Sequence, residues 1–418
     1  MFNILRNAWR IPDLRKRMIF TLLMLVVFRL GSFIPVPGMN TEALAAFIQS
    51  GGLLSFFDVI SGGAFANFAI FAMGITPYIN ASIIMQLLTI AIPSLEALAK
   101  EGEEGRKKIA QYTRYGTVVL ALIQAVALSI GLKAYLYKSD FLSIAIVAIS
   151  LTAGTAFLMW LGELITDKGV GNGISLIIFA GIVSRIPVGA ARLINLYKAK
   201  TASIFELIGF VIVAILIIAA VVLINEGERR IPVQYAKRIV GRKMYGGQST
   251  HIPLKINQAG VIPVIFAMSI IEFPKQIAGF FPGSAAYNFF NKYFAWGTWF
   301  HGVLYAILII GFTYFYTAVT FNPIEISNNI KKYGGFIPGI RPGKPTAEFI
   351  QRSLSRITLV GAIFLALIAI FPIFLTRFTN INVSFGSTSL LIVVSVALET
   401  VRQIEAQMIM RNYQGFLK

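Results

Sequence analysis

Five carboxylates stand in or beside apolar stretches of this 418-residue chain: Asp58, Glu163, Glu206, Glu272 and Glu399. Two such groups three or four residues apart on a helix share one face and would suggest acid–base chemistry or an ion site. No two of these five have that spacing. The two histidines, His251 and His301, sit in no ligand-like cluster, and the chain has no cysteine. Thiolate metal sites and disulfides are therefore excluded, and no metal or cofactor is expected. The zinc-protease pattern HExxH, the phosphate-binding GxxxxGK[ST] and the nucleophile pattern GxSxG are all missing. One charge stands out for its position: Arg29, inside an otherwise apolar run. It can snorkel, pair with a neighbouring helix or line a cavity, and the sequence leaves the three open.

Composition says what kind of scaffold carries these few polar groups. Hydrophobic residues make up 56% of the chain and charged residues only 13%, at a mean hydropathy of +0.75. A soluble protein carries roughly twice that charge. The chain reads as an all-α polytopic membrane protein. Its basic N-terminus runs directly into a full-length apolar segment, without the short apolar stretch and cleavage site of a removable leader.

Apolar periodicity and length predict ten spans, over 18–35, 66–92, 112–132, 142–162, 173–187, 204–225, 257–273, 301–321, 356–375 and 386–407. With the N-terminus inside, the inner segments carry 27 of the 37 lysines and arginines and the outer loops 9. That bias predicts both termini in the cytoplasm. A net charge of +19 also suits a basic surface facing an acidic partner such as nucleic acid or anionic lipid.

Ten spans divide as five plus five, and an odd number per half means that related halves lie inverted in the membrane. The expected halves are residues 1–200 and 201–418. In each, the second span is the irregular one. The segment from residue 53 is interrupted by glycine pairs and by Pro77, and span 257–273 contains Gly260 and Pro263. Interrupted segments at matching places in two halves point to a working site between them. Within "GGLLSFFDVISGGAF" (51–65), the apolar piece from Leu53 to Ser61 would be roughly 13 Å long as a helix. That is too short for a hydrocarbon core of about 30 Å. Irregular backbone at that depth is tolerated only against protein or a water-filled cavity, so the segment implies a cavity.

Two inner loops, 226–256 and 323–356, are basic and rich in turn-forming residues. "IPGIRPGKP" alternates Gly and Pro in a way that pre-sets its backbone. Long structured loops are usually functional, and both read as a docking surface.

Seven stretches in order carry a family resemblance: "FRLGSFIPVPG" (28–38), "GITPYINASIIMQLLT" (74–89), "KEGEEGRKKIAQYTRYGT" (100–117), "GVGNGISLIIFAGIV" (169–183), "QSTHIPLKINQAGVIPVIFA" (248–267), "FIPGIRPGKPT" (336–346) and "GSTSLLIVVSVALE" (386–399). Together they resemble the SecY family of protein-conducting channels, in its bacterial form. The resemblance implies ten transmembrane helices in two inverted five-helix halves around a central pore. It also implies a short re-entrant plug helix at about 53–63, with Leu53, Leu54, Phe56, Phe57, Val59 and Ile60 as its apolar residues.

Carried over motif by motif, the resemblance places an apolar pore ring at Ile75, Ile79, Ile174, Ile178, Ile265 and Ile392. It places a polar lateral gate between the second, third and seventh helices at Asn80, Gln124 and Asn257. It makes Arg341 the residue that engages the motor and the ribosome, and Arg242 with Lys243 a basic tip toward ribosomal RNA. The implied partners are the small membrane subunits SecE and SecG, the motor ATPase SecA, the ribosome, secretory preproteins with their signal peptides, and membrane lipids. The expected function is a non-enzymatic channel for unfolded polypeptides in the bacterial cytoplasmic (inner) membrane. A secondary transporter for a small solute is the alternative, since inverted repeats and broken helices suit that class too. The lack of any nucleophile–base or metal constellation speaks against an intramembrane protease.

Overall fold

The computed structural model describes residues 2–41, 61–138, 140–199, 203–235, 238–240, 243–245, 249–279, 283–295, 298–378 and 387–415. Fourteen helices are described: α1 (Phe2–Arg10), α2 (Pro12–Gly31), α3 (Thr76–Ala91), α4 (Pro93–Lys100), α5 (Glu103–Gly131), α6 (Phe141–Lys168), α7 (Gly173–Lys198), α8 (Ile204–Glu226), α9 (Ile262–Gly279), α10 (Ala285–Tyr293), α11 (Trp299–Thr320), α12 (Pro323–Lys332), α13 (Lys344–Phe378) and α14 (Ser387–Gly415). Among the described residues six helices are long and apolar enough to cross a bilayer: α5, α6, α7, α8, α11 with its continuation into α12, and α13. The pair α3–α4 would make a seventh, bent by 99° at its break. The remaining three expected spans fall on α2, α9 and α14. The bend has a local cause: Ile92 precedes Pro93 and takes extended backbone (φ −108°, ψ 114°), as a residue before proline must.

Helices α2, α3, α5, α6 and α7 pack on one another, and so do α8, α9, α11, α13 and α14. The two groups meet where α3 touches α9 and where α7 touches α14. Their outward faces are apolar, for example Leu22, Leu23, Val26 and Leu30 on α2 and Val211, Ile212, Ile215 and Leu216 on α8. Such faces belong in hydrocarbon.

The second span differs from the sequence expectation. Helix α3 begins at Thr76, not near 66, and residues 61–75 are turns. The reasons are local. Gly62, Gly63 and Gly74 take positive φ (67°, 96° and 58°), and Phe68 is held at φ 39°. Pro77 starts α3 rather than breaking it. The irregular stretch is almost wholly buried, and it satisfies its backbone locally: Val36 N donates to Phe68 O at 2.9 Å, and Ile70 N to Ile34 O at 2.9 Å. Gly154 on α6 admits the Ile70 carbonyl where a Cβ would collide with it. Non-helical backbone is thus enclosed by protein, as hydrocarbon demands.

The two basic loops are not separate, and they add β-structure to the helical fold. Strand β1 (Glu228–Tyr235) pairs antiparallel with β4 (Ser249–Lys255) on one side and with β5 (Gly335–Phe336) on the other. Between them β2 (Arg238–Val240) and β3 (Lys243–Tyr245) form a short hairpin. Ile231, Val233 and Leu254 bury against Ile330, Ile337, Ile350 and Leu354, giving this sheet its own small core with α12 and the start of α13.

Candidate functional site

The six expected ring residues lie on four helices. Ile75 is the N-cap of α3, and Ile79 sits one turn on, its N donating to Ile75 O at 3.1 Å. Ile174 and Ile178 lie in the first turns of α7, Ile265 on α9 and Ile392 on α14. Ile75, Ile178 and Ile392 are buried members of one continuous apolar cluster, and Ile79, Ile174 and Ile265 are partly buried against it. The start of α7 is fixed by Asn172, whose side chain accepts from Ser175 N at 3.2 Å. Gly162 on α6 leaves room for the Ile174 side chain that a Cβ would fill. The cluster joins both helix groups.

The expected plug residues Leu53, Leu54, Phe56, Phe57, Val59 and Ile60 lie outside the described residues, and so does Arg242. Of the expected plug, Ser61, Gly62 and Gly63 are described; they form turns, so helix does not extend through 63.

Asn80 on α3, Gln124 on α5 and Asn257 before α9 are all buried. Helix α3 touches both α5 and α9, so the three elements adjoin. Among the described residues no hydrogen bond joins the three side chains to one another. Asn257 Nδ2 donates instead to Asn225 Oδ1 on α8 at 2.8 Å, and Asn225 Nδ2 to Ser395 Oγ on α14 at 2.9 Å. Gln124 Nε2 and Asn257 Oδ1 are buried without a partner among the described residues.

The carboxylates divide into structural roles. Glu163 pairs with Arg114 at 2.8 Å between α6 and α5. Glu206 accepts from Ser203 N at 2.9 Å and completes the cap of α8. Glu399 is exposed, and Asp58 is outside the described residues. Glu272 faces Lys275 at 3.7 Å, one turn apart on α9, and both are buried. Beside them His301 and Tyr305 of α11 are buried with ring centroids 5.9 Å apart. Sequence reading missed this node because it looked for paired acids. The signal was an opposite-charge pair at i, i+3 inside an apolar run. Among the described residues no group of three acidic or histidine side chains could hold a metal ion.

The sheet platform carries the expected docking residues that are described. Lys243 lies on β3. Arg341 is exposed at the tip of a stiff loop: Gly339 and Gly343 take positive φ, Thr346 Oγ1 donates to the Arg341 carbonyl at 2.8 Å, and Ser327 Oγ to the Gly343 carbonyl at 2.6 Å. Arg229, Lys331, Lys332 and Lys344 are exposed on the same unit. Arg230 hydrogen-bonds Glu228 at 2.7 Å and so holds that carboxyl below its usual range, neutralising one cation of the patch. The pairing of β1 with β5 joins the two loops in one sheet.

The chain matches the model of the SecY family over residues 69–401. It is 51% identical to the protein translocase subunit SecY of Halalkalibacterium halodurans over 100% of both chains. One similar solved structure is described as showing that the plug domain of the SecY protein stabilises the closed state of the translocation channel and maintains a membrane seal. Its TM-score is 0.68 at 20% identity, covering 94% of this chain and 92% of that one. Another is Sec61 in the canine ribosome–channel complex from the endoplasmic reticulum, with TM-score 0.64 at 18% identity, covering 94% and 93%. At such identities these two structures speak for the fold alone.

Proposed function

This chain belongs to the SecY family, and from that membership we propose that it is the channel subunit of a protein translocase, passing unfolded secretory polypeptides across a membrane. It is a multi-pass membrane protein and a channel rather than a catalyst. The finer reading sets it in the bacterial cytoplasmic membrane with both termini inside, its halves being 1–200 and 201–418. SecE and SecG are its small membrane partners. The motor SecA or a translating ribosome docks on the platform around Arg341, Arg242 and Lys243 and supplies the energy. Hydrophobic segments leave sideways between α3 and α9, past Asn80, Gln124 and Asn257. Residues 53–63 seal the resting channel.

The observation that carries this reading is the composition of the cluster where the two helix groups meet. Isoleucines from α3, α7, α9 and α14 fall in it together. A solute transporter needs oxygen-rich or ionisable ligands near its centre, and the described carboxylates are committed to pairs and caps or are exposed. An apolar throat suits a chain of arbitrary sequence.

The absence of native cysteine gives a direct test. One cysteine is placed at Ile75 or Ile392 and one in the middle of a secretory chain stalled in transit, followed by oxidation. A disulfide adduct that depends on motor or ribosome puts the polypeptide inside the ring. No adduct at either position, with stalled substrate present, reopens the solute-transporter reading.

A further inference from the structure

Arg29 stands in the last turn of α2, half-buried, on a helix whose neighbouring face is apolar. Its Nη1 donates to the Gly62 carbonyl at 2.5 Å and to Ser184 Oγ of α7 at 3.2 Å. The Ser184 hydroxyl in turn donates to the Gly181 carbonyl at 2.7 Å. The guanidinium carbon lies 4.6 Å from the centre of the Phe33 ring. No carboxylate pairs with Arg29 among the described residues. Its charge is met by a backbone carbonyl, a hydroxyl and an aromatic face.

The recipient is an unusual piece of backbone. Gly62 and Gly63 take φ of 67° and 96°, a region costly for any residue with a Cβ. Gly62 also lies so close to the Gly181 backbone that a Cβ would collide with it, and the Arg185 guanidinium sits beside Gly63. Two helices, α2 and α7, therefore converge on one carbonyl. An arginine inside a span is costly and is kept there for its partners. A charge-assisted hydrogen bond is among the stronger single contacts available to it.

We propose that Arg29 is a positioning residue that fixes the Gly62 carbonyl against α7 and so anchors the backbone from Ser61 to Ala64 in the resting channel. The inference rests on the plug reading above, because this anchor stands at the C-terminal end of the expected plug. The contact is to main chain, so it reads backbone position rather than side-chain identity. Ser184 shares the load by holding the guanidinium from the α7 side.

The test measures resting chloride conductance of the full chain, assembled with its partner subunits, in proteoliposomes. Arg29→Met is expected to raise conductance roughly tenfold, the equivalent of losing one charge-assisted hydrogen bond. Arg29→Lys keeps the charge but reaches only one acceptor, and falls between Arg29→Met and the native chain. Ser184→Ala gives a smaller rise in the same direction. Added to a deletion of residues 53–60, Arg29→Met has no further effect. Native conductance in an assembled, cooperatively melting Arg29→Met complex overturns the anchor. So does a full additional increment on top of the deletion, which would mean general loosening. Should Arg29→Met fail to assemble, Ser184→Ala decides: a raised conductance supports the anchor and a native one overturns it. A deletion raising conductance while Arg29→Met is silent sinks the anchor alone. A deletion that leaves conductance unchanged sinks the plug reading and the anchor's stated role with it.

Discussion

Asn257 donates its side-chain amide to Asn225 Oδ1 at 2.8 Å, which ties a residue expected at the lateral gate to α8. Asn225 continues the chain to Ser395 of α14, and its carbonyl accepts from Arg402 at 2.8 Å. Arg402 also pairs with Glu226 at 2.9 Å. Three elements of one helix group are joined through Asn225. Asn225→Ala should lower stability by roughly 1–2 kcal/mol, because it removes the side-chain bonds to both Asn257 and Ser395 and leaves the buried Asn257 amide unpaired. Gln124→Leu should be neutral or stabilising, since Gln124 Nε2 already lacks a partner among the described residues. Thermal melting of the two variants, side by side, checks both signs.

Arg341→Glu should abolish motor-driven or ribosome-driven transport while leaving the melting temperature unchanged. The side chain is exposed, and the loop is held through the Arg341 carbonyl rather than its guanidinium. Reversing a charge on a basic patch weakens binding to an acidic partner most at low salt. Normal preprotein transport by the variant would remove Arg341 from the docking surface.

The link between the two loops makes a separate prediction. A Cβ at Gly335 would press on the Tyr235 ring and on Ile330. Gly335→Val should therefore part β5 from β1, at a cost of roughly 1–3 kcal/mol confined to the platform. Trypsin cleavage at Lys331 and Lys332 should accelerate, and docking should fall although every cation is retained. Unchanged proteolysis would mean that the two loops hold position independently.

Much of this was legible because it is local. Gly62, Gly63 and Pro77 announced an interrupted segment, but not that the turns would run to Ile75, which also depends on packing against Gly154 and the strand-like contact with residues 34–36. The Gly/Pro frame around Arg341 was readable as stiff. The pairing of Gln234 with Phe336 was not, because strand contacts so far apart in sequence leave no periodic trace in either loop. Asn225 was missed for the same reason, as its partners come from the segment before α9 and from α14. Arg29 was conspicuous, yet its partners were invisible: a carbonyl has no sequence signature.

The isoleucine cluster gives the sharpest test of function against packing. Ile75→Asn combined with Ile392→Asn places amides where the cluster is apolar. Each buried amide left unpaired costs roughly 1–3 kcal/mol, so melting should drop in either case. The two readings part on conductance. If the residues line a throat that excludes ions by dewetting, water enters the polar variant and resting conductance rises. Ile75→Val with Ile392→Val, which keeps the surface apolar, should leave it at the native level. A destabilised double-asparagine variant with native conductance would assign these two isoleucines to helix packing alone. In that case the constriction would have to be sought among the other residues of the cluster, with Ile178 of α7 first because it too is buried there.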